Sequence, residues 1–455
     1  MFTLALLAIL QVQGVDGPRT LRVGAEEEFT SPAAALAAAR PGDTVTLAAG
    51  VHPGRLRIDR RVVVRGEPGA VLDGGGTGTV ITVEADSVAL IGLRIRGSGR
   101  SLDHDDAAIK LVRCTGCRVV ENEISKPLHG IYLLESHGIE LRGNRIVGDP
   151  AIPEARRGNG VHLFHSTAVR IRENSIRGTR DGMYFSFSRD NLIQDNDVSG
   201  VRYGLHYMYS DANVFERNRF TRNAAGAAIM FSSDILFREN TFAEHVGYRA
   251  YGILLQTAYR VTAERNRIEG NLVGIFLDMS ENNVFRENRI AGNGIGIDMI
   301  ASAERNTFVG NSITGNRTAV RKPYGDARNE WAVEGRGNHW GDPRVFDLDG
   351  DGVGDRPYEA GDPFASLAGS RPALEIFIAT PAALALSWAE RAMPVFDLPG
   401  VTDPAPLVAP PANVPRQDGA GAISASRGRR GLLALLPLMA LALALGRRSH
   451  RGSTA

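Results

Sequence analysis

Cysteine is nearly absent from this chain of 455 residues. There are two, Cys114 and Cys117, so no disulfide framework holds the chain together and its stability has to come from a buried core. An excess of charge of either sign is missing too: 52 Lys and Arg stand against 51 Asp and Glu, a formal net charge of +1, and Arg alternates with acids in runs such as "FRENRI". That excludes the basic footprint of a nucleic-acid-binding protein. No phosphate-cradling P-loop pattern occurs, so energy for any transport step has to come from a partner. Apolar residues at helical spacing are scarce over most of the chain. The apolar segment 431–446 has 16 residues, about 24 Å as a helix against a bilayer core of about 30 Å.

What the chain has is a repeat. A Gly-apolar run, a Ser, then an Asn followed two residues on by an apolar residue recurs from Ala108 to Asn316. The Asn column reads Asn122, Asn144, Asn174, Asn196, Asn218, Asn240, Asn266, Asn288 and Asn311, with gaps of 22, 30, 22, 22, 22, 26, 22 and 23 residues. The longer gaps are loop insertions. Fourteen residues before most of these stands Gly130, Gly160, Gly182, Gly204, Gly226, Gly252 or Gly274, and eight before stands Ser136, Ser166, Ser188, Ser210, Ser232 or Ser280. Short alternating apolar runs at this period predict an all-β fold, a single-stranded right-handed parallel β-helix over 20–325, one coil per repeat. A solenoid lengthens without starting a second core, so one long domain accommodates the length. Large apolar residues one and three after each Gly, and the residue two after each Asn (Ile124 to Ile313), point inward. The Asn and Ser columns are expected to pair up the stack at the corners. Cys114 falls in the Ser column and Cys117 five before Asn122, so both fit ladder positions; a local disulfide or metal contact is the alternative.

The other face of the Gly-led strand carries chemistry. Two after the Gly it reads Tyr132, His162, Tyr184, His206, Ala228, Leu254, Phe276 and Asp298; four after, Leu134, Phe164, Ser186, Met208, Met230, Gln256, Asp278 and Ile300. A solvated face would be Lys, Glu and Thr, so this is a recognition surface. With coils ~4.8 Å apart, His206, Met208 and Met230 are expected to converge, with His162 two coils away. Thioether and imidazole ligands suit copper as Cu(I). Met183 and Met299 fall in inward columns and are expected in the core.

The ends differ in character. The apolar run at 2–10 predicts a signal peptide over 1–16, hence export. Ser31-Pro32 opens a short helix expected to cover the first coil. Beyond the repeats, 326–370 is expected to form a cap. Within it Asp347, Asp349, Asp351, Val353 and Asp355 occupy calcium-loop positions 1, 3, 5, 7 and 9, although Tyr358 replaces the bidentate Glu at 12. Residues 371–408 predict a helical and docking extension, 409–430 a disordered linker, and 431–446 a membrane anchor flanked by Arg on both sides.

At "RYGLHYMYSDANVFERNRF", "AAIMFSSD", "GNRTAV", "GRGNHWGDPRVFDLDGDG" and "GVTDPAPL" the chain resembles the NosD family of periplasmic proteins for maturation of nitrous oxide reductase, from the first coils to about Leu407. The resemblance implies a non-enzymatic β-helix protein that works with an ABC-type ATPase and a membrane permease, with a copper chaperone as a further partner. It implies delivery of copper or a copper–sulfur species to the reductase. The family's His-Tyr-Met strand maps onto His206, Tyr207 and Met208, and its Ile-Met-Phe strand onto Ile229, Met230 and Phe231. The tail after Val408 departs from the family pattern. The competing expectation is a carbohydrate-binding protein or a polysaccharide lyase or epimerase, and the base and carboxylates of such an enzyme would have to come from Asp278 and Asp298 or from the loop Asp103-His104-Asp105-Asp106.

Overall fold

The computed structural model describes residues 17–416 apart from Ala301, 323–327, 361–379 and most of 383–400. The expected signal peptide, the segment 431–446, the linker beyond 416 and most of the helical extension lie outside these residues. Among the described residues no helix is long and apolar enough to cross a membrane.

Each coil contributes three short strands, such as Tyr203–Met208, Val214–Glu216 and Arg219–Thr221. Stacked in parallel, they make sheets of 13, 12 and 12 strands, a parallel β-solenoid of the kind the period predicts. Like stacks on like: Leu205 stands beside Ala227, Tyr207 beside Ile229, and Phe220 beside Phe242. The columns predicted to face inward are buried, including Met183 and Met299. Rings also stack inside, Phe220 on Phe242 at 5.2 Å and Phe285 on Phe308 at 4.9 Å.

The corner before the third strand is held by the Asn column. Asn122 Nδ2 donates to Asn144 Oδ1 at 2.9 Å, and the same bond recurs coil after coil to Asn311 and then to Asn338. Each Asn also receives the next-lower coil's backbone N–H at its Oδ1, as in Asn196 to Asn218 at 3.1 Å. Every amide is thereby satisfied where water cannot reach it. The residue just before each Asn takes a left-handed conformation, at Glu121, Glu173, Asp195 and Arg217 as well as at Gly143. Those fixed amides repay the cost that a side chain pays there. The ladder ends on buried Asp403, which accepts from Asn338 N–H (2.7 Å) and Trp340 Nε1 (2.9 Å). Thus two of the quoted family segments, around Asn338 and around Asp403, meet in space.

The Ser column runs as expected, from Ser136 N–H to Ser166 Oγ and on to Ser232. Cys114 sits at its head, donating its backbone N–H to Ser136 Oγ (3.2 Å). The two thiols are buried and donate to Val83 O (3.3 Å) and Ala85 O (3.2 Å) of the preceding coil. A further corner ladder, not anticipated, reads Asn223, His245, Asn271, Asn293 and Asn316. The Gly column is a close-approach column. A Cβ on Gly274 would lie 2.5 Å from the Gly296 carbonyl oxygen and 3.1 Å from Ile290.

Both ends of the stack are covered. The helix Pro32–Ala38, capped by Ser31 Oγ accepting from Ala34 N–H, buries Ala35 and Leu36 over the first coils. At the other end Phe308, Trp331, Trp340 and Tyr358 form a staircase of rings 4.4, 5.7 and 5.1 Å apart. The strand Val401–Asp403 docks antiparallel on Tyr358–Ala360. The first residues of the expected linker pack rather than drift: Val414 is buried and Asn413 Nδ2 donates to Glu287 Oε1 (3.0 Å).

Two outcomes test this packing. Gly274→Ala forces the Cβ against backbone and is expected to cost about 1–3 kcal/mol, read as a lower melting temperature; wild-type melting would show that the coils can spread. His245 accepts from Asn223 N–H at Nδ1 (3.2 Å) but leaves its Nε2 buried without a partner. His245→Asn supplies an amide where its neighbours donate to Val198 O and Phe242 O. It is expected to stabilise by about 1 kcal/mol. An unchanged or lower melting temperature would mean that the ring's packing beside Gly226 outweighs the missing bond.

Candidate metal centre on the glycine-led face

The face opposite the core on the Gly-led sheet becomes a trough because the long coils all lengthen at one place. The extra residues, 97–106, 148–160 and 244–250, each precede a Gly-led strand. The first of them leans over the face: Lys110 Nζ reaches His104 O at 3.1 Å and Asp105 at 3.9 Å. The face is accordingly less open than its sequence pattern suggests, with Tyr132, Ala228 and Asp298 buried.

Along the floor the predicted residues stand in register, Tyr132 beside His162, His162 beside Tyr184, Tyr184 beside His206. Their rings touch in succession, with centroids 4.3, 4.5 and 4.8 Å apart. Met208 and Met230 are direct strand neighbours. Tyr184 ties the two groups together, its ring edge-on to His206 and its hydroxyl donating to Met208 Sδ at 4.0 Å. Burial pushes the Tyr184 hydroxyl above the usual phenol range, keeping it a donor. His206, Met208 and Met230 therefore share one neighbourhood, while His162 stands apart behind the Tyr184 ring. His162 groups instead with His129, ring centroids 5.5 Å apart. Burial holds both neutral, His129 down to about 4 and His162 to about 3.

Three residues that the repeat analysis passed over complete the site. Asp181, just before Gly182 and buried, accepts from His206 Nδ1 at 2.9 Å and from both Arg202 Nε (2.8 Å) and Nη2 (2.6 Å). Burial pushes its carboxyl up, but the bonds from His206 and Arg202 outweigh that and hold it below the usual range. Tyr203, one position before Gly204, lies under the Arg202 guanidinium at 4.5 Å. The signal that could have found Asp181 and Tyr203 is the column one before each Gly, which reads His129, Asn159, Asp181, Tyr203; Arg202 lies two before its Gly and outside that column.

A second overlooked column, five after each Gly, edges the trough beside the methionines. His165, Phe187, Tyr209 and Phe231 stack like coins, 4.8, 5.3 and 5.1 Å apart and nearly parallel. Their backbones are all left-handed, φ 48–51°, and Phe187, Tyr209 and Phe231 are 46%, 46% and 42% exposed. Bulky exposed rings are unusual in that conformation.

Two of the carboxylates named for a carbohydrate enzyme are already engaged. Asp298 is buried in a two-pronged ion pair with Arg321 (2.8 and 2.6 Å), and Asp278 accepts from Gln256 at 3.1 Å. In the acidic turn, carboxylate oxygens of Asp347, Asp349 and Asp351 lie within 4.8 Å of one another. Asp355 instead turns back to accept Leu348 N–H (2.6 Å), and Tyr358 OH donates to Asp342 (3.2 Å) outside the turn.

The NosD family model, described as "Periplasmic copper-binding protein (NosD)", matches residues 144–345, the coils that carry this face. A relative from Pseudomonas aeruginosa, described as "Probable ABC transporter binding protein NosD", is 36% identical over 82% of this chain and 89% of its own length. The chain belongs to the NosD family. A relative of the same description from Stutzerimonas stutzeri is 31% identical over 80% of the chain and 86% of its own length. Among solved structures, the A-module of the Azotobacter vinelandii mannuronan C-5 epimerase AlgE6 is similar at 13% identity and a TM-score of 0.46, over 68% of this chain and 93% of its own. The residues matched by the family model include His162, His206, Met208 and Met230.

Buried histidines set an acid limit on this fold. His129, His162 and His245 (about 3) all titrate below the ordinary 6.5 because burial disfavours the cation. Above pH ~6.5 both folded and unfolded states are neutral there; below it the unfolded chain takes up protons that the folded chain refuses. Melting temperature is expected to fall between pH ~6.5 and about 4, less steeply in His245→Asn. A flat profile down to pH 4 would show that these rings are protonated in the fold.

Proposed function

We propose that this chain is a periplasmic accessory protein that receives copper, as Cu(I) or a copper–sulfur species, at His206, Met208 and Met230. It hands that cargo on toward nitrous oxide reductase while associated with an ABC-type ATPase and permease. The observation that carries the reading is the placement of one imidazole and two thioethers on adjacent coils of one NosD-family face, with Tyr184 touching His206 and Met208 and with Met230 beside Met208. Soft, uncharged ligands favour Cu(I) over the hard cations. A half-buried trough suits a cargo that has to be released again, since the ligands are reachable by an incoming donor or acceptor. The descriptions of the family and of the two relatives support copper, the periplasm and the ABC transporter. The reductase as recipient rests on the resemblance of the strands "HYMYS" and "AIMFS". The reading is of a binding protein, not an enzyme. A lyase or epimerase reading is weaker because Asp278 and Asp298 are already engaged.

The test is an anaerobic Cu(I) titration of the full chain against a competing chelator, beside the His206→Ala/Met208→Ala/Met230→Ala variant. Stoichiometric binding by the wild type, lost in a variant of unchanged melting temperature, is the expected outcome. A folded wild type that leaves all Cu(I) with the chelator would sink the reading.

A further inference from the structure

We infer that Asp181 is the positioning residue that presents His206, alone among His129, His162 and His206, as a metal ligand through its Nε2; this rests on the copper reading above. An imidazole binds a metal only through an unprotonated ring nitrogen, and the hydrogen bond at one nitrogen decides which that is. For His129 the partner is the backbone N–H of Asn159, 3.1 Å from Nδ1. A backbone N–H can only donate, so Nδ1 accepts and Nε2 carries the proton. For His162 the partner is the side-chain amide nitrogen of the same Asn159, 3.4 Å from Nδ1, with the same consequence. One asparagine thus occupies the free lone pairs of both rings.

His206 is the reverse case. Its Nδ1 lies 2.9 Å from Asp181 Oδ2, and a carboxylate can only accept, so Nδ1 carries the proton. Arg202 Nη2 also comes within 3.4 Å of that nitrogen, but Nδ1 stands closer to the carboxylate oxygen, at 2.9 Å, and one of the two Nη2 hydrogens is given to that same oxygen at 2.6 Å. Nε2 has no hydrogen-bond partner among the described residues and keeps its lone pair. The carboxylate itself cannot turn away. It is buried, gripped by two nitrogens of Arg202, and held against the Tyr203 backbone N–H at 3.4 Å. Asp181 and Arg202 thus play for His206 the part that a carboxylate behind a ligating histidine plays in metal sites generally: they fix the tautomer and the ring's direction before the ion arrives.

The experiment pairs two measurements on the full chain. Nitrogen-15 spectra of the metal-free wild type, with His206 assigned by His206→Ala, read the tautomer directly; His206 is expected as the Nδ1-protonated form, with His129 and His162 Nε2-protonated. Cu(I) competition on Asp181→Asn is expected to show affinity about ten- to a hundredfold weaker than wild type. Its His206 signal is expected to move toward the other tautomer, a change that loss of packing alone does not produce. An Nε2-protonated His206 in the wild type overturns the inference without any variant. Asp181→Asn with wild-type affinity, beside a His206→Ala variant that has lost it, overturns the role of Asp181 and leaves the copper reading standing. A folded wild type that binds no Cu(I) overturns both.

Discussion

Everything in this fold depends on the corner where each Asn side chain stacks on the Asn of the next coil. A parallel solenoid has no hairpins to fix its register, so a coil could slide along its neighbours and turn a core column into an exposed one. A buried amide that must donate both to the amide of the next coil and to a backbone carbonyl of the preceding one, while taking hydrogens from that preceding coil, allows one register only. Slipping by a residue would strand several buried polar groups at once. The ladder's last step onto Asp403 extends the same constraint to a segment 65 residues further along the chain.

Fixed register turns one-dimensional spacing into three-dimensional contact. Residues a coil apart become neighbours, so a face of chosen chemistry can be written down a column, one residue per coil. Charge is written this way on one sheet, where Arg238 bridges Glu216 and buried Glu264, and Arg286 pairs with Glu264 in turn. Aromatic stacking and a run of histidine and methionine are written on another. Because the Gly column lets backbones approach where a Cβ would collide, the Gly-led sheet stays continuous beneath its site. Insertions are tolerated at a corner, since a loop there leaves the pairing of the strands intact. Their gathering at one corner is what gives the trough its wall.

The site shows where column reading stops. His206, Met208 and Met230 were legible because they occupy repeat positions on one face, two residues or one coil apart. His162 sits in the same column as His206 and reads as equivalent to it, yet a tyrosine ring separates them and Asn159 claims its lone pair. Asp181 escaped because it precedes its Gly, at the bend where a strand begins, and alternation says nothing about where a side chain at a bend points. Arg202 lies 21 residues from Asp181, one coil on, and only the stacking brings its guanidinium to that carboxylate.

By itself the sequence determined the solenoid, its register, the inward columns, the Ser31-capped helix and the soft face, because each follows from a period and from the alternation of strand side chains. The tertiary structure alone decided how deep that face lies, since burial depends on loops whose length the sequence shows but whose path it does not. It also decided which histidine offers a lone pair. That depends on single hydrogen bonds of about 3 Å, set by side-chain directions at corners, and no repeat pattern encodes them.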